Sequence, residues 1–261
     1  MVNQDQLIAE IAQEVVARLQ VQLRNPPSNA PAVRTNGAVS TGDGVFATVD
    51  DAVKAATAAQ ERLANMSLED RGRIATIIRR LCNDNASEWA RIELEETGLG
   101  RLDHKIDKLK IIRNVPGVEF LRVEARTDTT GLCLIERAPW GVIGMVLPAT
   151  HSIPTMASNA INVIAAGNSA VFSPHPAGSK CAATALRVMN REIEREVGVA
   201  NTITTVADAS IRSAEEIFRH PGIALICVTG GGAVVRAAQK SGKRVIAAGP
   251  GNPPVVVDET A

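Results

Sequence analysis

The sequence predicts an α/β fold in which a Rossmann-like parallel sheet is wound with helices. Short apolar runs alternate with helical segments from residue 142 to residue 247, and this alternation is typical of parallel strands joined by crossover helices. Hydrophobic residues make up 45% of the chain and aromatic residues only 2%, so we expect a core of Ala, Val, Ile and Leu. A helical array and a β-hairpin precede the sheet, and an amphipathic helix on a linker precedes both.

The first 22 residues are predicted to form the amphipathic helix. Its apolar face carries Leu7, Ile8, Ile11, Val15 and Leu19, at helical spacing. Residues 23–44 are rich in Pro, Asn, Ala, Gly, Ser and Thr and show no periodicity, which predicts a flexible linker. A helix on such a linker cannot bury its apolar face against its own domain, so we expect a binding partner. The alternative is that it folds back on its own oligomer.

The domain predicted over residues 45–261 begins with the helical array and the hairpin. Helices are expected over 52–66, 68–84, 86–97 and 102–115. Asp50 or Asp51 should cap the first helix and Ser67 the second, while Gly98 should end the third. Strands over 119–126 and 131–137 flank residues 127–130 and predict the hairpin.

The sheet is expected to contain strands over 142–147, 169–173, 203–206, 223–228 and 244–247, with helices over 152–166, 180–197, 210–220 and 233–241. Ligands of open parallel sheets bind beyond the carboxyl ends of the strands. The polar clusters at 149–152 and 173–176 therefore outline a nucleotide site. The glycine run from Thr229 to Ala233 follows a strand and opens a helix, so its backbone N–H groups could receive a phosphate. Alternatively, it is a tight turn with no ligand.

Charge and cysteine usage argue against several classes of partner. The 28 basic and 28 acidic side chains balance, so neither nucleic acid nor an acidic membrane is expected. No apolar run approaches the roughly 20 residues that span a bilayer. The four cysteines lack short Cys-x-x-Cys spacing and do not pair with the four histidines at zinc spacing, which predicts reduced cytosolic thiols and no metal site.

Three short stretches of the sequence are distinctive: Ala-Ala-Gly-Asn at 165–168, Phe-Ser-Pro-His-Pro at 172–176 and Ala-Ala-Gly-Pro-Gly-Asn-Pro-Pro-Val-Val-Val-Asp at 247–258. They resemble the aldehyde dehydrogenase superfamily, and in particular its CoA-acylating, propionaldehyde-type branch in bacterial microcompartments. The resemblance extends from about residue 45 to residue 261. It implies that NAD and coenzyme A bind at Leu147, Pro148, Ala149, Thr150, Ser173, His175, Pro176, Thr229, Gly230, Gly231, Val234, Ala247, Ala248 and Gly249.

Departures from the hydrolytic members of that family carry further information. Ser173 stands where they have a lysine that grips the adenosine ribose, which implies a less charged pocket suited to a nicotinamide nucleotide and coenzyme A in turn. Ala247 replaces the glutamate that activates water, so a thioester intermediate would survive for transfer to coenzyme A. His175 is either a ligand contact or a buried histidine bonded to the backbone.

Thr150 and His151 occupy the place of the family's asparagine donor to the oxyanion. His151 is therefore the candidate catalytic donor, or it only positions a neighbour. The resemblance places the nucleophilic cysteine beyond residue 258, in a second domain, and none of the four cysteines here is expected to replace it.

The sequence thus predicts the cofactor-binding portion of an NAD-dependent, CoA-acylating aldehyde dehydrogenase, with propionaldehyde, lactaldehyde and acetaldehyde all open as substrates. By resemblance, the leader is an encapsulation peptide that docks on a shell protein, in the lumen of a microcompartment within the cytoplasm. The hairpin at 119–137 is expected to build a homo-oligomer. The alternative function is a non-catalytic nucleotide-binding module that docks on a shell or scaffold through its N-terminal helix.

Overall fold

A computed structural model describes residues 41–249 and 254–258. The predicted leader helix and most of the predicted linker lie outside the described residues. The described part contains a six-stranded parallel sheet, helices around it and a separate two-stranded antiparallel hairpin. The predicted α/β class with a wound parallel sheet is therefore confirmed.

The helices of the described residues, in chain order, are α1 (Val49–Ala64), α2 (Leu68–Asp84), α3 (Ala86–Thr97), α4 (Leu102–Lys110), α5 (Ser152–Ala165), α6 (Ser179–Val197), α7 (Ile211–Arg219) and α8 (Gly232–Gln239). The strands are β1 (Val45–Phe46), β2 (Glu124–Asp128), β3 (Gly131–Ile135), β4 (Val142–Leu147), β5 (Ser169–Pro174), β6 (Ile203–Val206), β7 (Leu225–Thr229) and β8 (Arg244–Ala248).

The order of the strands in the large sheet is β1-β6-β5-β4-β7-β8. The chain runs from β4 through β5 to β6 on one side, and then returns to β7 on the other side of β4. The direction of winding therefore reverses between β4 and β7. In open α/β sheets the connections diverge at such a point, and the crevice that they leave is where ligands bind.

Both faces of the sheet are buried along β4, β5 and β6, whereas the edge strand β8 is mostly exposed. Successive side chains of a strand point to opposite faces, so the buried strands supply two cores. Ile143, Met145 and Phe172 join the larger core, to which α2 to α6 contribute. Val171 and Ile226 join a second core with α1 and α7 on the other face. This two-sided burial explains why the strands read as continuous apolar runs rather than as alternating ones.

The structure corrects two helix boundaries. Helix α1 begins before Asp50, and the side chain of Thr48 rather than Asp50 or Asp51 caps it by accepting from the Asp51 N–H. The segment 102–115 is not one α-helix, since α4 ends at Lys110 and a 3-10 turn follows at Ile111–Asn114. The extended conformation of Val115, which precedes a proline, ends this 3-10 turn. The predicted cap at Ser67 and the left-handed end at Gly98 are confirmed.

The strands differ from expectation at three points. The hairpin strands are shorter than predicted, and Val118–Phe120 forms a 3-10 turn instead of strand. Strand β7 begins at Leu225, because the N–H of Ile223 closes a turn onto the carbonyl of His220. Strand β1 was not predicted at all; its two residues pair with β6 at the edge of the sheet.

Candidate functional site

A cavity of about 480 Å³ opens at the carboxyl ends of β4, β5 and β7, where the strand order reverses. Among its lining residues, Glu215 is the one that carries a fixed charge at neutral pH. Ten of the predicted binding residues line it: Leu147, Pro148, Ala149, Ser173, His175, Pro176, Thr229, Gly230, Gly231 and Val234. The fold therefore brings together residues from three separate predicted turns.

The other predicted site residues lie beside the cavity without lining it. Ala247 and Ala248 pair with Val228 and Thr229 in the sheet, and the Gly230 N–H approaches the Ala248 carbonyl at 3.4 Å. Gly249 follows directly. Thr150 and His151 belong to a 3-10 turn at Ala149–His151, of which only Ala149 lines the cavity.

The far wall of the cavity comes from α7 and α8, and sequence reasoning missed it. The lining residues that were not predicted, which also include one residue each of β4 and β5, are Val146, Pro174, Ser210, Ile211, Ala214, Glu215, Phe218, Ala233 and Ala237. Ile211, Ala214 and Phe218 are spaced three and four residues apart, which places them on one helix face. That spacing was visible in the sequence, but nothing in it showed that this face borders a cavity rather than the core.

The glycine turn that opens α8 presents bare backbone to the cavity. Gly231 is the N-cap residue, with φ −67° and ψ 160°, and within the described residues the start of the helix has no side-chain cap hydrogen bond. A Cβ at Gly231 would meet no atom within 4 Å. These N–H groups and the positive end of the helix dipole are therefore available to an anion.

The starts of α5 and α6 are occupied, by contrast, by two glutamates of α3 that the sequence analysis did not single out. Glu93 Oε1 accepts from the Ile153 N–H at 3.0 Å. Glu96 accepts from the N–H groups of Lys180 and Cys181 at 2.9 and 2.6 Å. A separation of three residues puts both carboxylates on one face of α3.

The start of α7 is also satisfied, since Ser210 and Ser213 form a reciprocal capping box. Helix α1, which follows β1, is capped by Thr48. Among the five described helices that follow strands of the large sheet, α8 is thus the one whose start has no side-chain cap hydrogen bond among the described residues. An anion bound in the cavity would find its backbone donors at Gly231 to Ala233, and not at the other helix starts.

His151 is partly buried, and its Nδ1 lies 2.9 Å from the Thr150 hydroxyl oxygen. Burial lowers the pKa of His151, and the charge of Lys108 lowers it further. The imidazole is therefore neutral at physiological pH and offers one N–H donor. If the Thr150 hydroxyl donates to Nδ1, the Nε2 N–H is free to donate to a developing oxyanion.

His175 and Ser173 differ in exposure. Ser173 is buried at the end of β5, whereas His175 is exposed and its Nδ1 accepts from the Ala177 N–H at 3.1 Å. The alternative of a buried histidine is therefore wrong about burial, although the predicted bond to the backbone is present.

Three of the four cysteines, Cys82, Cys181 and Cys227, are poor nucleophiles. Burial raises the pKa of Cys82 to about 12. Burial, reinforced by the carboxylate of Glu96, raises the pKa of Cys181, and burial also raises that of Cys227. Since the thiolate is the reactive form, these three thiols are unreactive at neutral pH. Cys133 is exposed on the hairpin.

In the described residues, no group of three or more His, Cys, Asp or Glu side chains is arranged to hold a metal ion. The helices of this part of the chain also include none that is long and apolar enough to cross a bilayer.

Comparison with known proteins agrees with this fold. The acetylating acetaldehyde dehydrogenase EutE of Salmonella typhimurium is 48% identical over 220 residues, which cover 84% of this chain and 47% of that protein. Propionaldehyde dehydrogenase of Rhodopseudomonas palustris, solved with bound propionyl-CoA, superposes with a TM-score of 0.80 at 40% identity, over 85% of this chain and 49% of that one. The propionaldehyde dehydrogenase of the Clostridium phytofermentans fucose utilisation microcompartment also gives 0.80 at 40% identity, over 84% and 51%.

The chain thus spans about half the length of the relatives that it matches. A sequence model described as the Aldehyde dehydrogenase family matches residues 27–261, which is most of the chain. The chain therefore belongs to the aldehyde dehydrogenase family.

Proposed function

We propose that this chain is the nucleotide-binding portion of a CoA-acylating aldehyde dehydrogenase. The reaction of the whole enzyme would convert a short aldehyde, NAD and coenzyme A to acyl-CoA, NADH and a proton. The relatives support this assignment, because one is named as acetylating and another was solved with propionyl-CoA. The same relatives are enzymes, which makes a non-catalytic docking module the less favoured alternative.

The observation that carries the proposal is the unoccupied helix start at the rim of the cavity. In the part of the chain that the structure describes, the start of α8 has no side-chain cap, while the starts of α5, α6 and α7 are occupied by Glu93, Glu96 and Ser210. NAD and coenzyme A both contain a diphosphate next to an adenosine. We assign the diphosphate to the backbone at Gly231 to Ala233.

The rest of the cavity fits the adenosine that the two molecules share. Its volume of about 480 Å³ is in the usual range of about 300–1,000 Å³ for small-molecule sites. Ile211, Ala214 and Phe218 supply an apolar wall from α7, against which a base can lie. At Ser173, where hydrolytic relatives carry a lysine, no cation favours either molecule over the other, so we propose that they occupy this cavity in turn.

In this scheme NAD accepts the hydride and coenzyme A supplies the thiol that receives the acyl group. The residues of this chain bind and orient the two molecules. The neutral His151 is proposed to donate to the oxyanion that develops on the aldehyde. Ala247 cannot activate water, so the thioester is spared from hydrolysis. We assign the nucleophile to a cysteine outside residues 1–261.

Shared occupancy predicts strict competition between the two molecules. With NAD present at about 100 times its own Kd, the apparent affinity of the chain for coenzyme A should fall about a hundredfold, because only the free cavity binds. Calorimetric titration of coenzyme A with and without NAD measures this. Coenzyme A that binds equally well to the NAD-saturated chain would show that the two sites are separate.

We propose that residues 1–22 are an encapsulation helix, that residues 23–44 link it to the domain over 45–261, and that the protein works in the lumen of a microcompartment. Support comes from the one-sided apolar pattern of the leader and from the microcompartment relative. Within the described residues, the end of this linker already contacts the domain: Asp43 pairs with Arg191 at 2.6 Å.

The leader is tested by fusing residues 1–22 to a fluorescent protein and expressing the fusion with the cognate shell. We expect fluorescence in discrete shell-sized bodies, and diffuse fluorescence when Leu7→Asp interrupts the apolar face. Diffuse fluorescence with the unmodified leader would rule out the proposed docking on the shell.

We also propose that the hairpin of β2 and β3 builds a homo-oligomer. All residues of both strands are exposed, and Leu132 and Leu134 expose 65% and 60% of their surface. An exposed apolar strand pair of this kind is typical of an interface. The double substitution Leu132→Asp and Leu134→Asp should reduce the mass measured by light scattering to that of one chain, and an unchanged oligomer would exclude this surface.

A further inference from the structure

A buried ion pair lies behind the turn that carries His151. Lys105 of α4 and Glu93 of α3 are joined by a contact of 2.9 Å between Nζ and Oε2, and both side chains are buried. Charged side chains are rarely buried unless they are paired, and even a good pair seldom repays its desolvation in stability. The position of this pair therefore needs an explanation beyond stability.

Each member of the pair also bonds to a backbone group in the segment from Thr150 to Ile153, which contains His151. Lys105 Nζ donates to the Thr150 carbonyl at 3.1 Å, and Glu93 Oε1 accepts from the Ile153 N–H at 3.0 Å. These two backbone groups lie on either side of His151 and Ser152. The pair thus holds the chain at both ends of the segment that presents the His151 ring.

The His151 ring is close enough to this pair to sense its charges. After burial itself, the groups that act on its pKa are Lys108, which lowers it, Glu93, which raises it, and Lys105, which lowers it. They belong to α3 and α4, the two helices that supply the pair. The Thr150 hydroxyl is the direct partner of the ring, at 2.9 Å.

We propose that Glu93 and Lys105 are positioning residues, which fix the backbone on both sides of His151 and so orient Thr150 and His151 beside the nucleotide cavity. The inference rests on the proposed function for the role of that turn. It explains why two chargeable groups are buried at this place. It also gives the helical array before the sheet a part in building the site.

The first test is hydrogen exchange of backbone amides in the 261-residue chain. In Lys105→Met and in Glu93→Gln, the amides of residues 149–153 should exchange about tenfold faster. Lys105→Met loses the bond to the Thr150 carbonyl, and Glu93→Gln loses the ion pair and the charge that strengthens the bond from the Ile153 N–H. Amide exchange in strand β6 of the large sheet should be unchanged. Lys108→Gln is the matched control, since it removes an exposed cation of α4 that makes no bond to the turn in the described residues. Equal acceleration throughout the domain would show a general stabilising pair and overturn the proposal.

The second readout is the pKa of His151, followed by NMR of the ring signals and assigned with His151→Gln. Glu93→Gln removes the carboxylate that raises this pKa, so the pKa should fall. An unchanged pKa in Glu93→Gln would show that the ring does not lie beside Glu93 and would contradict its proposed position.

The double variant Glu93→Gln with Lys105→Met keeps the inference testable if a single variant fails to fold, since it leaves no unpaired charge. Its turn should exchange faster than that of the unmodified chain, and unchanged protection would overturn the proposal. None of these measurements involves a nucleotide. Loss of turn protection in a chain that binds no NAD would count against the proposed function and leave the positioning pair in place.

Discussion

Gly231→Asp is expected to weaken NAD binding about a hundredfold while the chain stays folded. The substitution sets a carboxylate where we place the diphosphate. Two like charges about 4 Å apart near a protein surface repel by about 4 kcal/mol before screening by salt, and a hundredfold loss corresponds to about 2.7 kcal/mol. Calorimetric titration of NAD into both proteins measures the change.

The same substitution should not harm the fold. Gly231 has a negative φ and lies in open space, so it tolerates a side chain. Aspartate at the N-cap also accepts from the first N–H groups and, relative to glycine, favours the helix by roughly a few tenths of a kcal/mol. We therefore expect thermal stability to stay level or rise while affinity falls. Gly231→Ala is the matched control, which adds a Cβ without charge and should keep NAD affinity within about threefold. Unchanged affinity in folded Gly231→Asp would move the diphosphate elsewhere.

Gly44→Ala is expected to lower the free energy of unfolding by about 3–5 kcal/mol, which combines backbone strain with overpacking. Gly44 has φ +91°, and a Cβ there would lie 2.1 Å from Asn190 Nδ2 and 2.7 Å from the Ile203 carbonyl oxygen. Relief of the clash would have to break the bond from Asn190 to the Ile203 carbonyl. Urea denaturation measures the loss.

A neighbouring glycine separates the two contributions to this loss. Gly42 also has a positive φ, of +119°, but a Cβ there would meet no atom within 4 Å. Gly42→Ala should therefore cost only the backbone strain, about 1–3 kcal/mol. Equal losses in the two variants would mean that the contact with Asn190 and Ile203 is not the cause.

Local signals in the sequence were sufficient for much of the fold. Helix α2 runs between the predicted limits because Ser67 caps it, and α3 ends where Gly98 adopts the left-handed conformation that was expected. The two residues of β1 escaped notice, because a strand of that length has no periodicity. Its place in the sheet comes from pairing with β6, which is far away in the sequence.

The candidate site was likewise predictable only in the parts that local sequence determines. The turns after β4, β5 and β7 were predictable because polar and glycine residues follow apolar runs directly. The contacts of Glu93 with Ile153 and of Lys105 with Thr150 join residues 60 and 45 positions apart. No local pattern in α3 or α4 distinguishes these side chains from solvent-exposed charges. The α7 wall of the cavity escaped for the same reason.

We place a dinucleotide in the cavity between β4 and β7, with its diphosphate at the start of α8. Titration of NAD into the isotope-labelled chain, followed through its backbone amide signals, tests this most directly. We expect the largest changes at Thr229 to Ala233, with smaller ones along Ile211 to Phe218. NAD that left these amides unmoved, or that shifted a different surface instead, would contradict the account.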